Sequence, residues 1–490
     1  MVMSRREKVE EFFGKAKELE KKYDWVKAAD DYERALHAFE KKDLLKSGET
    51  WEKIGYCYRR AAFQAESKEE FKQRMQRAIK AYEKASIFHE KLADEQKTAM
   101  VFRCRAVTKY LGYWLTSDPS EKKKLLDECL EFEKKTLTAF WDCGDILEYG
   151  RTHNELSSAF WHRSFREWDG QVMKRIVEDG IQLAEKTVEA LSEYGGSYEI
   201  ARAYLALATC LFPLSNFIAE PEKQEHHRLK VAEYLRNAVD FSEKTGDAYL
   251  VGLAHLWLGI NTGGEESMRH LEKALECGDE TRDNFLKGGG LDFLAYMTYW
   301  KAIATEDPDQ RRKLADKAMK LYDKGQYHYS IISFLSPRDG VIPPPGGYAE
   351  YYLHRATWET DQEKKREFLE KSEKAGIKGL KVAEDSDVPG IIGTMFHVLS
   401  KTLEARARLE PDFDDKRSLL EKALKHRQRT IEIMETLTPF DYFNLGVMYN
   451  YLAEIEAELG YLEPEQKTSA AAQQFHVVTT PMCLMKLVRS

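Results

Sequence analysis

The chain has 490 residues, 43% of them hydrophobic and 32% charged, which is enough apolar material for a large core and too much for a disordered chain. A formal net charge of -8 gives no overall basic character, so no nucleic-acid partner is expected, because that binding rests on neutralising phosphates with Lys and Arg. Seven widely spaced cysteines without a Cys-x-x-Cys pair, an N-terminus without a signal-like apolar core, and no run near the roughly 18 apolar residues of a membrane span set the expectation of a reduced, soluble, cytoplasmic protein with no membrane partner.

Along the chain one local pattern returns nine times: an apolar residue, two polar or charged ones, then a very small one. It reads Tyr32-Glu-Arg-Ala35, Met75-Gln-Arg-Ala78, Leu126-Asp-Glu-Cys129, Val177-Glu-Asp-Gly180 and Leu235-Arg-Asn-Ala238. It continues as Leu271-Glu-Lys-Ala274, Ala315-Asp-Lys-Ala318, Leu369-Glu-Lys-Ser372 and Leu420-Glu-Lys-Ala423. The small residues stand 36 to 58 residues apart; a period of that size is the signature of stacked helical units, and the small residue lets two helix backbones approach closely. Each unit reads as a hairpin of an aromatic first helix and an amphipathic, Lys/Glu-rich second helix. The hairpins are expected over 5–42, 48–92, 95–140, 145–192, 197–245, 247–279, 285–325, 348–384 and 388–436, with a last helix over about 439–460. Acidic turns such as Ser117-Asp118-Pro119, Glu306-Asp307-Pro308 and Glu410-Pro411-Asp412 suit helix starts. Thr245-Gly246-Asp247 and Cys277-Gly278-Asp279 suit helix ends.

Two stretches break the pattern. Residues 326–347 carry Pro343 to Pro345 and Gly346-Gly347, which exclude a continuous helix and make a long irregular loop of a kind often tied to function. The tail 464–490 carries no repeat signal and reads as a cap on the last hairpin or the start of something longer. Residues 1–463 form a single solenoid domain in this reading: all-α, about nine hairpins and a terminal helix.

Trp51-x2-Ile54-Gly55-x2-Tyr58 and Tyr442-x2-Leu445-Gly446-x2-Tyr449 in first helices, with Ala28-x3-Tyr32-x2-Ala35 and Ala78-x3-Tyr82-x2-Ala85 in second helices, resemble the tetratricopeptide repeat. The resemblance covers about residues 5–460 and is weaker in the middle. The units average near 48 residues against about 34 in that family, so the helices are longer and the regular superhelix geometry does not carry over directly. The resemblance implies a right-handed superhelix that binds peptides or protein segments along a concave face lined by first helices. Carried over by position, it offers Glu52, Tyr56, Arg59 and Arg60 in the second unit, and Phe443, Asn444, Val447 and Asn450 in the last helix. Asn444 stands where some members grip a carboxylate, but no further unit follows to supply the rest of such a clamp.

Catalytic and cofactor motifs are not found. Gly288-Gly289-Gly290 precedes Leu291-Asp292 rather than Lys-Ser/Thr, so it reads as a flexible interhelical turn and not a phosphate-binding loop. His226-His227 lack zinc-protease order and read as a solvated face. His153 and His162, nine residues apart on one helix, are about 13.5 Å apart in rise and cannot share a metal unaided. The run Glu121-Lys122-Lys123-Lys124 reads as a solvated helix face. No enzyme activity, no cofactor and no metal is therefore expected. Aromatic first helices with neighbouring cations are candidate anchors for a partner. Tyr299 and Lys301, with Tyr352 and Arg355, flank the irregular loop and mark the first choice of site; Tyr56, Arg59 and Arg60 with Phe443 and Asn444 mark the second. The function read from the sequence is a non-catalytic scaffold or adaptor for a protein or peptide. The alternative is the sensory or regulatory repeat region of a signalling enzyme whose cyclase, kinase or ATPase domain lies elsewhere. Partner identity and oligomeric state stay open.

Overall fold

The computed structural model describes residues 5–39, 43–92, 95–218, 220–332, 347–438 and 442–462. Among them the chain is all helical, with no strand. The first three hairpins are α1 (Arg5–Lys21) with α2 (Trp25–Ala38), α3 (Leu44–Phe63) with α4 (Lys68–Glu90), and α5 (Glu95–Leu115) with α6 (Pro119–Asp142). In the fourth, the first helix is interrupted at Ser157 into α7 (Ile146–Leu156) and α8 (Ser158–Ser164), and α9 (Gly170–Tyr194) returns. Then come α10 (Ser197–Leu211) with α11 (Pro221–Glu243), α12 (Ala248–Asn261) with α13 (Gly264–Thr281), and α14 (Asn284–Ala304) with α15 (Pro308–Ile331). The last two hairpins are α16 (Tyr348–Trp358) with α17 (Gln362–Ser386) and α18 (Pro389–Ala407) with α19 (Phe413–Leu437), followed by α20 (Tyr442–Leu462). The architecture is the expected α-solenoid, and no helix is long and apolar enough to cross a membrane.

The sequence signals act as read. All nine small residues of the repeat pattern are buried. At Gly180 an added Cβ would lie 3.0 Å from the Phe160 ring, so the helices meet there with no room for a side chain. Asp118, Asp307 and Asp412 cap α6, α15 and α19 by accepting from backbone amides, which satisfies donors that a helix start leaves free.

Three expectations change. The triglycine is not a turn: Gly288, Gly289 and Gly290 lie buried inside α14. A Cβ on Gly288 would meet the Tyr329 ring at 2.6 Å, and one on Gly289 would meet Leu256 at 2.8 Å. Close helix approach, not backbone freedom, explains these glycines. Gly278 does not end α13, which continues to Thr281 and stops at left-handed Arg282 (φ 56°); the end at Gly246 (φ 68°) stands as read. Of the expected irregular stretch, 326–331 is the last part of α15, while 333–346 and the tail 464–490 lie outside the described residues.

What the sequence leaves open is how tightly the solenoid winds. The structure settles this with contacts between units five apart. The Ala248 amide in the sixth unit donates to the Tyr23 hydroxyl of the first at 2.7 Å, and Arg282 donates to the Tyr23 carbonyl at 2.9 Å. Asn284 in the seventh unit donates to the carbonyls of Phe63 and Ala65 at the end of the second unit's first helix, at 2.9 and 2.7 Å. Gln64 donates to the Thr281 carbonyl at 2.7 Å. The fourth unit repeats the arrangement, with Trp168 Nε1 donating to Asp387 Oδ1 at 2.9 Å ahead of the ninth. The superhelix therefore completes a turn in about five units and each turn rests on the last.

Candidate functional site

This winding encloses a cleft among the first helices of units two to seven. Along α3, Tyr56, Arg59 and Arg60 recur at three- and four-residue steps and so share one face. Tyr198 and Arg202 on α10, and Tyr249, Leu253 and Trp257 on α12, do the same. These side chains line two adjoining chambers of about 100 and 180 Å³, together with Tyr110, Trp114, Asn154, Glu155, Trp161 and Asp283. Space on this scale takes side chains or a chain terminus, not a folded element.

Charge is concentrated there. Arg59 Nη1 donates to Glu155 Oε1 at 2.6 Å. Burial works against the Arg59 charge, but Glu155 offsets it and the guanidinium titrates above its usual range. Arg60 lies 3.4 Å from Asp283 Oδ2, with both side chains at 5% exposure or less. Its guanidinium also rests 3.3 Å from the centre of the Tyr249 ring, a cation–π contact made stronger by desolvation. The other oxygen of Asp283 caps α14, accepting from the Phe285 and Leu286 amides at 2.9 and 3.1 Å. Burial pushes the Asp283 carboxyl up, with Arg60 and the two amides pulling it back. Arg202 donates to the Asn154 carbonyl and has no acidic partner among the described residues. Asn154 Oδ1 and Arg60 Nε are buried without a hydrogen-bond partner there. Burial pushes the phenol of Tyr56 up, so it stays a neutral donor.

One end of the cleft is an aromatic floor. Tyr110 OH faces His162 Nδ1 at 3.2 Å, and the His162 ring stacks on Tyr113 with centroids 5.0 Å apart. Burial, with Arg166 and Lys122 nearby, holds His162 well below the usual imidazole range. Lys122 is not on a fully solvated face: it is half-buried, 5.5 Å from the Tyr113 ring, and pushed down to about 8 by burial and Arg166.

Of the residues singled out from the sequence, Tyr56, Arg59 and Arg60 come together in this cleft. The others lie elsewhere. Tyr299 is buried in the interhelix core with its hydroxyl 2.5 Å from His354 Nδ1, so it does not face an open groove. Lys301 is exposed on α14. Tyr352 is half-buried in a ring stack with Tyr348 and Phe368, and Arg355 is bound to Asp316 Oδ1 at 2.9 Å and to the Tyr351 hydroxyl at 2.8 Å. Asn444 is exposed near the start of α20; Phe443 belongs to the same helix, and its side chain lies outside the described residues. His153 pairs with Glu133 at 2.9 Å, both fully buried, while His162 faces the aromatic floor. His226 is exposed, but His227 is half-buried against the Leu211 carbonyl at 3.0 Å. Sequence reasoning missed Tyr198, Arg202, Tyr249 and Trp257. A signal was present: Tyr-x3-Arg recurs at Tyr56/Arg60, Tyr198/Arg202 and Tyr351/Arg355, and the first two of these pairs meet in the cleft. Outside the cleft, Glu52, His89 and Cys104 are the one group of metal-capable side chains gathered within 4.8 Å among the described residues.

No sequence-family model matches the chain, and no curated protein sequence matches it. Several solved helical-repeat structures are similar. A Rap protein complexed with competence and sporulation factor is 12% identical, at a TM-score of 0.44 over 93% of this chain and 99% of that one. A STAND signal-transduction ATPase with a tetratricopeptide repeat sensor, from Pyrococcus horikoshii, is 15% identical at a TM-score of 0.44. That match takes in 84% of this chain but only 55% of the ATPase chain. Yeast Tom70 is 12% identical at a TM-score of 0.32 over 98% of this chain and 99% of that one. At such identities these are likenesses of helical-repeat architecture and carry nothing about the cleft.

Proposed function

We propose that the protein is a non-catalytic scaffold that recognises a segment of a protein or peptide, and that the enclosed cleft between units two and seven is where it does so. The observation that carries this reading is the convergence of Arg59, Arg60 and Arg202 with Tyr56, Tyr198 and Tyr249 from three separate repeats. Arg59 and Arg60 already have carboxylate partners; Arg202 is the cation left for a ligand. The ligand that fits is an extended segment presenting a carboxylate, from an acidic side chain or a chain end, beside an apolar or aromatic residue. The carboxylate reaches Arg202, for which a charge-assisted hydrogen bond is worth about 1.5–3 kcal/mol. The apolar neighbour packs on Trp161, Trp257 and Leu253, and a donor from the segment satisfies Asn154 Oδ1.

A peptide array tests this. Each peptide is displayed with a free carboxylate and again with that group amidated, and binding is read with the full chain. The reading expects retention of carboxylate peptides and loss on amidation. Binding that is indifferent to amidation across the array, or confined to basic peptides, overturns it.

A further inference from the structure

We propose that Glu52, His89 and Cys104 form a binding site for a zinc-type divalent cation. One ligand atom from each lies within 4.8 Å of the other two, and His89 Nε2 is already 2.7 Å from Glu52 Oε1. The three come from consecutive helices: Glu52 from α3, His89 from α4 and Cys104 from α5. His89 and Cys104 are each 1% exposed, so water competes little for them.

The donor set selects the ion. Sulfur, imidazole nitrogen and one carboxylate oxygen suit a tetrahedral, borderline-soft cation with a fourth position left for water. Calcium and magnesium want oxygen ligands throughout. Arg103 takes Glu52 Oε2 at 2.5 Å. That leaves Oε1 toward His89 and fixes the orientation of the carboxylate, as outer partners of metal ligands do.

The pocket is also shaped for the ring. A Cβ on residue 48 would lie 2.6 Å from His89 Cε1, so glycine there lets the imidazole occupy this position. His89 Nδ1 is enclosed without a hydrogen-bond partner among the described residues, so the bond to Glu52 is the one side-chain hydrogen bond the ring makes there. Binding exchanges the Cys104 thiol proton, released to solvent, for the cation. The proton between His89 Nε2 and Glu52 Oε1 passes to the vacant His89 Nδ1, two metal–ligand bonds replace that hydrogen bond, and no electron changes hands. Arg59 on α3 and Leu111 on α5 stand seven residues beyond Glu52 and Cys104, about 10 Å along each helix. Both line the cleft, so a bound cation pins two of its walls from behind.

The test uses the full chain, reduced and stripped with chelator, titrated with cobalt(II). Tetrahedral cobalt carrying a thiolate gives intense visible d–d bands and a near-ultraviolet sulfur-to-cobalt band. The expected result is saturation of both at one equivalent, displacement by zinc, loss in Cys104→Ser and in His89→Gln, and retention in Cys143→Ser, the exposed cysteine among the described residues. Absent bands in the wild type, or bands that survive Cys104→Ser, overturn the site. X-ray absorption on the zinc-loaded wild type keeps the question decidable if a variant misfolds. One sulfur with nitrogen and oxygen neighbours supports the site; a shell without sulfur, or with two, overturns it.

Discussion

Asp283→Asn isolates the bond that closes the first superhelical turn. Asparagine caps a helix about as well as aspartate, so α14 keeps its start, while Arg60 loses the carboxylate it is paired with. Removing one partner of a buried ion pair costs about 3–5 kcal/mol, because the remaining charge is left uncompensated. Two features set the low end here: the contact is long, at 3.4 Å, and Arg60 keeps its place on the Tyr249 ring. About 3 kcal/mol is therefore expected. Asp283→Ala removes the cap as well and should cost about 1 kcal/mol more. Urea unfolding of both variants gives the difference, and amide exchange locates it. Protection should fall at the end of α3 and the start of α14, 223 residues apart in the pair that links them, before it falls in the second helices. An Asp283→Asn protein within about 0.5 kcal/mol of wild type, a change typical of a neutral surface site, would refute the claim that this contact closes the turn.

Other outcomes follow from the same packing. Gly288→Ala should destabilise by about 1–3 kcal/mol, the usual cost of overpacking, because its Cβ meets the Tyr329 ring at 2.6 Å. A gain of about 0.4–1 kcal/mol, as for Gly→Ala at an unstrained site, would instead restore the flexible-turn reading; thermal melts decide between them. Glu350 on α16 is pushed up to about 8 by burial, with Lys401 only partly offsetting it, and its Oε2 is enclosed without a partner among the described residues. Its folded value lies above its unfolded one, so between about pH 4.5 and 8 the folded state holds the extra proton. Stability from this group falls as pH rises through that window, by about 1.4 kcal/mol per unit at most. Glu350→Gln should flatten that slope in denaturant melts across pH, and an unchanged slope counts against the assignment. Trp168→Phe removes the hydrogen bond to Asp387 and should cost about 1.5–3 kcal/mol, as for bonds to charged groups, with exchange rising at the end of α17; no change there would remove the bond's role in holding units four and nine together.

The hairpins were legible because their signals are local. An apolar residue and a small one three positions later fix which helix faces meet, and Asp118, Asp307 and Asp412 announce helix starts from the sequence alone. The triglycine was misread for the same reason: locally Gly-Gly-Gly resembles a turn, and its partners Tyr329 and Leu256, on other helices, reveal that it is a packing surface. The cleft was half legible. Arg59 and Arg60 follow from repeat position, but their meeting with Arg202 and Tyr249 depends on a five-unit superhelical turn. That turn is set by small angles accumulated over ten helices, and no single residue encodes it. Arg355, equally prominent in the sequence, is held by Asp316, a partner that only the folded chain brings alongside.

The most direct test of the binding cleft is the affinity of one array-selected carboxylate peptide for the wild type, Arg202→Gln and Arg355→Gln, read by tryptophan fluorescence. The account predicts a loss of about tenfold or more, ~1.4 kcal/mol, in Arg202→Gln alone, with Arg355→Gln unchanged. Equal binding by Arg202→Gln and wild type would contradict it, and a loss confined to Arg355→Gln would contradict it and move the site to Tyr352 and Arg355.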